Sequence, residues 1–454
     1  MTLLFNVIVI GLVILIGYWW ANQGFLSALL HLACVVVAGA ITLAIWEPLT
    51  TAILGGGFFD NYIWGIVLLG CFAIILAVTR ALSDRIVPGN LHLPNWANMT
   101  FGFVCGALAG IITTGILIIG GGFFQTADAF LYPGWGRDRD ARAVIEREPK
   151  PWLPVAKWTI DFYEYTSLGS LYPNISNAPL AQQYPNLDRQ ASLIRDSYDE
   201  GKGQLSLAPE GADVVDAFLL DAVNNSGMPD FNDPGIQVAL QSMVEILRSQ
   251  GVPRNQIRVI ESMMSDPNTA SANFGQLPPE LIAMLGQITG AASNKRFFGK
   301  PRNGERTFIV IMSFGPEAID FGEQLTLSQA QVRLICQDTD LGPHTKAEVL
   351  FPYGWGQSVR TAPFANFIFD SQTYYMTSVP GREAATIALS FILPNNLNPE
   401  FIQVRGTRYS LDQFKTNQSG TFPVLSEFAV GTKINNAFKP SAPVGPGFGA
   451  PPTM

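Results

Sequence analysis

The chain has 454 residues, room for two or three domains, with 48% hydrophobic but only 14% charged residues and a formal net charge of −8. Residues 1–125 hold Arg80 and Arg85 against Glu47, Asp60 and Asp84, so −7 of that charge falls on the remainder. A mildly acidic remainder argues against nucleic acid or an anionic membrane surface as its partner, because both demand clustered Lys and Arg.

Four apolar runs open the chain: Leu3–Trp20, Phe25–Trp46, Tyr62–Thr79 and Thr100–Ile119. Each is 18 to 22 residues long and free of Lys, Arg, Asp and Glu. About 20 apolar residues at 1.5 Å rise cover the hydrocarbon core of a bilayer. The pattern predicts four membrane-spanning helices within residues 1–125, with the lipid bilayer as their first partner. Tyr18, Trp19, Trp20, Trp46, Tyr62, Trp64 and Trp96 fall at the run ends, where amphipathic rings sit at headgroup level. No basic n-region or small-x-small site precedes Trp19, so the first helix is expected to stay in the mature protein.

Arg80 and Arg85 lie between the third and fourth runs, and the other short loops carry no basic residue. The positive-inside rule puts that loop in the cytoplasm and both the N-terminus and everything after Phe124 outside. Three arginines further on, Arg137, Arg139 and Arg142, pull the other way, but long domains translocate largely regardless of charge.

In the fourth run Gly102, Gly106 and Gly110 are spaced four apart and form a smooth groove on one helix face. A second helix, from the same protomer or from another, can approach such a groove closely. The segment 53–59, Ile-Leu-Gly-Gly-Gly-Phe-Phe, returns at 118–124 as Ile-Ile-Gly-Gly-Gly-Phe-Phe, both after an even-numbered run. Flexible glycines before paired Phe suit an interfacial turn that dips Phe58, Phe59, Phe123 and Phe124 into the headgroups. The polar candidates for an ion or proton path in the runs are Asn6, His31, Thr113 and Thr114, with no acid, Lys or Arg among them, so a proton-driven pump is disfavoured.

Asn6, Gly17, Gly24-Phe25 and Ala38-Gly39 resemble the start of the colicin V production (CvpA) family. Asn98, Gly102, Gly106 and Gly110 are similar to that family's Asp-x-x-x-Gly-x-x-x-Gly stretch entering its last helix. The resemblance covers roughly the first quarter of the chain. Asn6 and Asn98 stand where the family usually has Asp, and the first loop, residues 21–24, lacks the usual basic residues. The resemblance implies a four-helix protein of the bacterial inner (cytoplasmic) membrane tied to bacteriocin production or export and to envelope integrity. Some relatives fuse this part to a periplasmic serine protease.

Residues 126–303 read as a helical and irregular extramembrane region. Helix candidates are Asp140–Glu148, Ala156–Thr166, Leu187–Tyr198, Gly211–Asn224, Pro234–Gln250, Pro253–Met264 and Pro278–Thr289. The second places Trp158, Phe162 and Tyr165 on one stripe. From about Arg306 the period shortens. Thr307–Phe314, Gln331–Cys336, Ala347–Phe351, Phe364–Phe369, Tyr374–Ser378, Ala384–Ile392 and Phe401–Val404 are short runs between turn signals. Seven such runs predict an antiparallel, immunoglobulin-like β-sandwich over 304–432, followed by a Pro- and Gly-rich disordered tail, 433–454. The fold class is thus a four-helix transmembrane bundle followed by mixed α and β structure.

Catalytic chemistry is sparse. His344 is the only histidine after residue 125, and no Gly-x-Ser-x-Gly stretch or Walker loop exists. Cys336, Asp338, Asp340 and His344 form the single cluster worth naming, read as an acidic turn between strands rather than a calcium or zinc site. No cofactor or metal is therefore expected. Trp135 and Trp355 each stand between glycines and could anchor a protein partner. These features favour a non-enzymatic membrane protein that scaffolds other envelope membrane proteins. A channel-like component made by homo-oligomerised helices is the alternative, and a periplasmic enzyme the third.

Overall fold

The computed structural model describes residues 2–55, 59–87, 93–124, 135–137, 145–147, 151–169, 179–196, 206–220, 241, 244–245, 247–249, 253–265, 304–319, 324–342, 344–359, 362–368, 375–378, 384–416 and 420–425. Four long helices come first: α1 (Thr2–Gln23), α2 (Phe25–Ile53), α3 (Asp60–Ile86) and α4 (Asn95–Gly122). All four are long and apolar enough to cross a membrane. They overrun the apolar runs, because hydropathy marks the bilayer core whereas helix ends are set by backbone hydrogen bonds and caps. Outward positions are apolar too: Leu3, Leu4, Ile14 and Leu15 of α1 and Ile74, Val78 and Leu82 of α3 are exposed. Such a surface is stable against lipid, not against water.

Helix α4 is the hub, and its glycines set the approach distances. A Cβ on Gly106 would stand 2.8 Å from the Cβ of Trp20 and 3.1 Å from the Cα of Gly17. One on Gly110 would stand 3.2 Å from the Val13 carbonyl oxygen, and one on Gly102 3.2 Å from the Cα of Ala21. The three glycines therefore form an internal seam with α1. On another face, Gly120 packs against Leu69 of α3, and a Cβ on Gly65 would lie 2.6 Å from the Gly120 carbonyl oxygen. The second glycine triplet is thus the helical end of α4 packed on α3, where the sequence predicts a flexible turn. Of the first triplet, Gly56 and Gly57, with Phe58 after them, lie outside the described residues.

The remaining elements are β1 (Trp135–Arg137), β2 (Ile145–Arg147), α5 (Val155–Ser167), α6 (Leu180–Gln183), α7 (Leu187–Asp196), β3 (Ala212–Leu220), α8 (Arg254–Ser265), β4 (Glu305–Phe314), β5 (Gln324–Leu327), β6 (Val332–Asp338), β7 (Glu348–Leu350), β8 (Gly354–Val359), β9 (Ala362–Ile368), β10 (Tyr375–Ser378), β11 (Ala385–Pro394), β12 (Leu397–Val404), β13 (Thr407–Ser410) and β14 (Val424–Leu425). Strand β2, antiparallel to β1, replaces the helix expected around Asp140–Glu148. The candidate Pro278–Thr289 and the tail lie outside the described residues.

A six-stranded sheet runs β14-β3-β4-β11-β8-β9 and a four-stranded sheet β13-β12-β6-β7, with β10 and β5 as a separate pair. Pairing is antiparallel except between β14 and β3, so the larger sheet is mixed. Phe308, Val310 and Met312 of β4 and Ile387, Leu389 and Phe391 of β11 alternate inward. They share one core with Leu334 and Cys336 of β6 and Ile402 and Val404 of β12. Alternation at period two is what lets each sheet turn one apolar face to that core. Strand β3 lies where the sequence predicts a helix over Gly211–Asn224, and it pairs along β4. The sheet region therefore begins before residue 304 and includes part of the stretch expected to be helical.

Candidate functional site

The helices and the sheets meet at one end of the bundle, where α2 and α4 finish and α3 begins. Trp46 of α2, Trp64 of α3, Phe123 after α4 and Tyr184 after α6 are 1–4% exposed. Their rings form one cluster: Trp46 lies 5.0 Å from Trp64, 5.1 Å from Tyr184 and 5.6 Å from Phe123, centroid to centroid. The Trp46 indole N–H donates to the Trp64 carbonyl at 3.0 Å. Trp46, Trp64 and Phe123 are therefore covered by protein, where the sequence places them at headgroup level. Aromatic pairs of this kind are worth about 0.5–1.5 kcal/mol beyond the area they bury.

The tip of the β12–β13 hairpin closes the cluster from the sheet side. Arg405 (φ 49°) and Gly406 (φ 94°) both take left-handed backbone, as a two-residue hairpin turn requires. A Cβ on Gly406 would stand 2.9 Å from the Trp64 ring, so only glycine lets the turn lie on that indole. The Tyr184 hydroxyl donates to the Gly406 carbonyl at 3.4 Å. Next to the turn, Arg408 donates from Nε to Glu47 Oε1 at 2.6 Å and from a terminal nitrogen to Glu47 Oε2 at 2.5 Å. The same guanidinium lies 5.0 Å over the rings of Tyr184 and Phe401.

Two more polar groups tie α5, α6 and α7 to the sheets. Glu164 of α5 accepts from the Asn186 backbone N–H at 2.6 Å and from the Lys346 ammonium, which also donates to Asn186 Oδ1 at 2.8 Å. Burial pushes the Glu164 carboxyl above its ordinary range, against the pull of Lys346. Arg333 of β6 is buried and donates to the Pro185 carbonyl at 3.1 Å, to Gln190 Oε1 at 2.5 Å and to Gln403 Oε1 at 2.5 Å. Burial pulls the Arg333 guanidinium down from its ordinary value, while Tyr184, Glu164 and Asp188 oppose that pull.

Glu47 and Arg408 satisfy each other, as do Glu164 and Lys346, and Arg333 is met by neutral acceptors, so the joint is built for attachment. Among the described residues no group of three or more His, Cys, Asp or Glu is placed to hold a metal ion. Asp338 accepts from the N–H groups of Asp340 (2.8 Å) and Leu341 (3.3 Å) and from the Asn396 amide (2.9 Å), which is an acidic turn. Cys336 is buried in the sheet core and His344 is exposed, so the cluster read from the sequence does not converge.

Trp355 is 6% exposed within the core, so it is not available as a partner anchor. Trp135 lies in β1, and its side chain is outside the described residues. Trp19 and Phe59 are exposed, and Phe124 packs beside Tyr62 at 6.4 Å. Trp20 stacks on His31 at 4.0 Å and lies under Arg80, which pairs with Asp84 at 2.7 Å. Asn98 accepts from the first N–H of α2, Phe25, at 2.7 Å, and Asn6 accepts from the Trp152 N–H at 2.9 Å. Sequence reasoning missed Glu164, Tyr184, Arg333 and Arg408. Glu47 carried the available signal, as the lone acid directly after an apolar run.

No protein-family model matches the chain, no curated protein matches it, and no solved structure matches its fold.

Proposed function

We propose that this is a non-enzymatic, CvpA-like protein of the bacterial inner membrane that scaffolds other envelope membrane proteins, of the kind that serve bacteriocin production or export. The observation that carries the reading is the joint itself. Glu47 and Arg408, Glu164 and Lys346, and the four-ring cluster fasten the sheets to the end of the bundle that bears the α1 N-terminus. A protein so fastened holds its sheet region at a fixed height and orientation above the bilayer, as a scaffold needs. In this reading the two sheets form an immunoglobulin-like sandwich, and it lies in the periplasm with the N-terminus. Arg80 and Arg85 then face the cytoplasm.

The alternative channel reading leans on Gly102, Gly106 and Gly110 as an oligomer seam. Those glycines are occupied by α1 of the same chain, so a homo-oligomer would need another face.

The test is protease accessibility in intact spheroplasts, followed by crosslinking and co-purification from the same cells. The reading expects cleavage after residue 125 without lysis and recovery of other membrane proteins with the full chain. Protection until lysis overturns the periplasmic placement, and recovery of the chain alone overturns the scaffold.

A further inference from the structure

Helix α5 touches the spans well inside their length. Thr159 donates from Oγ1 to the Ile111 carbonyl of α4 at 3.3 Å, and the Tyr163 hydroxyl lies 3.3 and 3.2 Å from the Val35 and Val36 carbonyls of α2. Gly115 of α4 admits Thr159, and Gly39 of α2 admits the Tyr163 ring; a Cβ on either would collide with it. Val155, at the start of α5, packs with Val9 and Val13 of α1. The helix therefore crosses α1, α4 and α2 sideways.

Its depth follows from the caps at the far end. Asn98 of α4 holds the first N–H of α2, so Asn98 and Phe25 mark one level. About 20 residues further along, the hydrocarbon core ends near Ile118 on α4 and Ala44 on α2. Counted back from there at 1.5 Å per residue, the contacts at Gly115, Ile111, Gly39 and Val35 lie ~5–14 Å inside the boundary.

The two outer flanks of α5 differ. At 100° per residue, Lys157, Asp161 and Glu164 fall on one flank and Tyr165, Trp158 and Phe162 on the other. On the polar flank Glu164 bonds to Lys346 and Asn186, and Lys157 and Asp161, both exposed, pair at 2.6 Å. The aromatic flank is left open, with Trp158 44%, Phe162 37% and Tyr165 80% exposed. Val37 and Ile41 of α2, at the level of the contact sites on the opposite face of that helix, are exposed and apolar as well. Lipid that covers those residues lies at the depth of α5. A sequence with polar residues on the aqueous flank and Trp, Tyr and Phe on the other suits the headgroup–acyl boundary.

We propose that α5 is a fifth membrane helix, lying across the flank of the bundle just inside the headgroup–acyl boundary and presenting Trp158, Phe162 and Tyr165 to the bilayer. The inference rests on the membrane reading of α1–α4 and not on the scaffold role. The lipid contact is apolar and aromatic, so it holds in neutral phosphatidylcholine without anionic lipid.

The experiment is power saturation of a nitroxide attached to single introduced cysteines, in the full chain reconstituted in phosphatidylcholine vesicles. The wild-type signal, from the four native cysteines, is subtracted. Phe162→Cys and Tyr165→Cys replace exposed side chains, so the fold is retained. Both labels should collide several-fold more with oxygen than with a nickel chelate, and a label at Lys157→Cys should show the reverse. Nickel-dominated collisions at both 162 and 165 overturn the proposal. A control at Val78→Cys, exposed on α3, separates the causes. If oxygen dominates there, only the placement of α5 fails; if nickel dominates there too, the membrane reading of the spans fails with it.

Discussion

Arg408 grips Glu47 with two parallel N–H···O contacts, 2.6 and 2.5 Å long, across 361 residues of chain. The pair joins the β12–β13 hairpin of the smaller sheet to the end of the second apolar run. Both side chains are largely buried, 15% and 17% exposed, so bulk water screens the pair weakly. Arg408→Ala leaves the Glu47 carboxylate without this fork, and a hydrogen bond to a charged partner is worth about 1.5–3 kcal/mol. Thermal unfolding in detergent should fall accordingly, and Arg408→Lys should recover only part, because an ammonium cannot make the bidentate contact. A Glu47→Gln, Arg408→Gln double variant should lose less than the sum of the single losses. Strict additivity would mean that the two residues do not act as a pair.

Gly406 tests the joint without touching charge. Its φ of 94° and the Trp64 ring 2.9 Å from a would-be Cβ are independent objections to any side chain. Gly406→Ala should destabilise the docked sheets by about 1–3 kcal/mol, the usual cost of holding a residue in left-handed backbone. Trp64 should report the release as a red-shifted fluorescence component, which Trp64→Phe removes. Unchanged stability and emission would place the turn elsewhere than on the indole.

The glycine seam predicts a contrast between sites. Gly106→Leu puts a branched side chain where a Cβ is already 2.8 Å from Trp20, so α1 must leave α4 and accumulation of the protein should drop sharply. Gly70→Leu, on α3 with nothing within 4 Å, should be tolerated. Equal accumulation of the two variants would remove the seam.

How much of this could be read from the sequence depended on whether one face or a whole element carried the signal. The spans were legible because lipid rewards apolar residues all round, which leaves no competing pattern. Strands such as Thr307–Phe314 were legible because Val, Ile and Phe run between turn residues. Ala212–Leu220 was not: Asp213 and Asp216 sit three apart as on a helix face, and the last four residues are all buried, which hides the period of two. The stripe Trp158, Phe162 and Tyr165 was read correctly as one face, yet the face packed on the bundle is Val155, Thr159, Ile160 and Tyr163. Small and hydroxylic residues fit against the glycines of α2 and α4, and sequence alone did not show that those glycines face α5. The joint was the least legible part. Arg333, Arg408 and Tyr184 are brought together from distant segments, and nothing local marks a charge whose partner lies hundreds of residues away.

Arg333 carries a prediction of its own. Its guanidinium is the donor for Pro185, Gln190 and Gln403, acceptors on both sides of the joint. Arg333→Ala leaves these buried neutral acceptors unmatched and opens a cavity, and each buried group left unsatisfied costs about 1–3 kcal/mol. Limited proteolysis should then cut between α7 and β3 earlier than in the wild type. A variant as resistant as the wild type would mean that the acceptors find water.

Cys336 predicts how alkali acts on the sheets. Burial pushes its thiol well above the ordinary value of 9.0, with Glu348 and Glu400 adding to the shift and Arg306 opposing it. Below pH 9 the thiol is protonated in both the folded and the unfolded chain, and its full contribution to stability is present. Above pH 9 the unfolded thiol ionises first, so the folded state loses up to about 1.4 kcal/mol per pH unit from this group. Cys336→Ala removes that slope while adding a cavity cost that does not vary with pH. The gap in unfolding temperature between wild type and variant should therefore narrow from pH 8 to pH 10. A water-soluble disulfide reagent should leave Cys336 untouched at pH 8 until the chain is unfolded. A gap that holds constant with pH, or prompt labelling of the folded chain, would show that the thiol ionises within the fold.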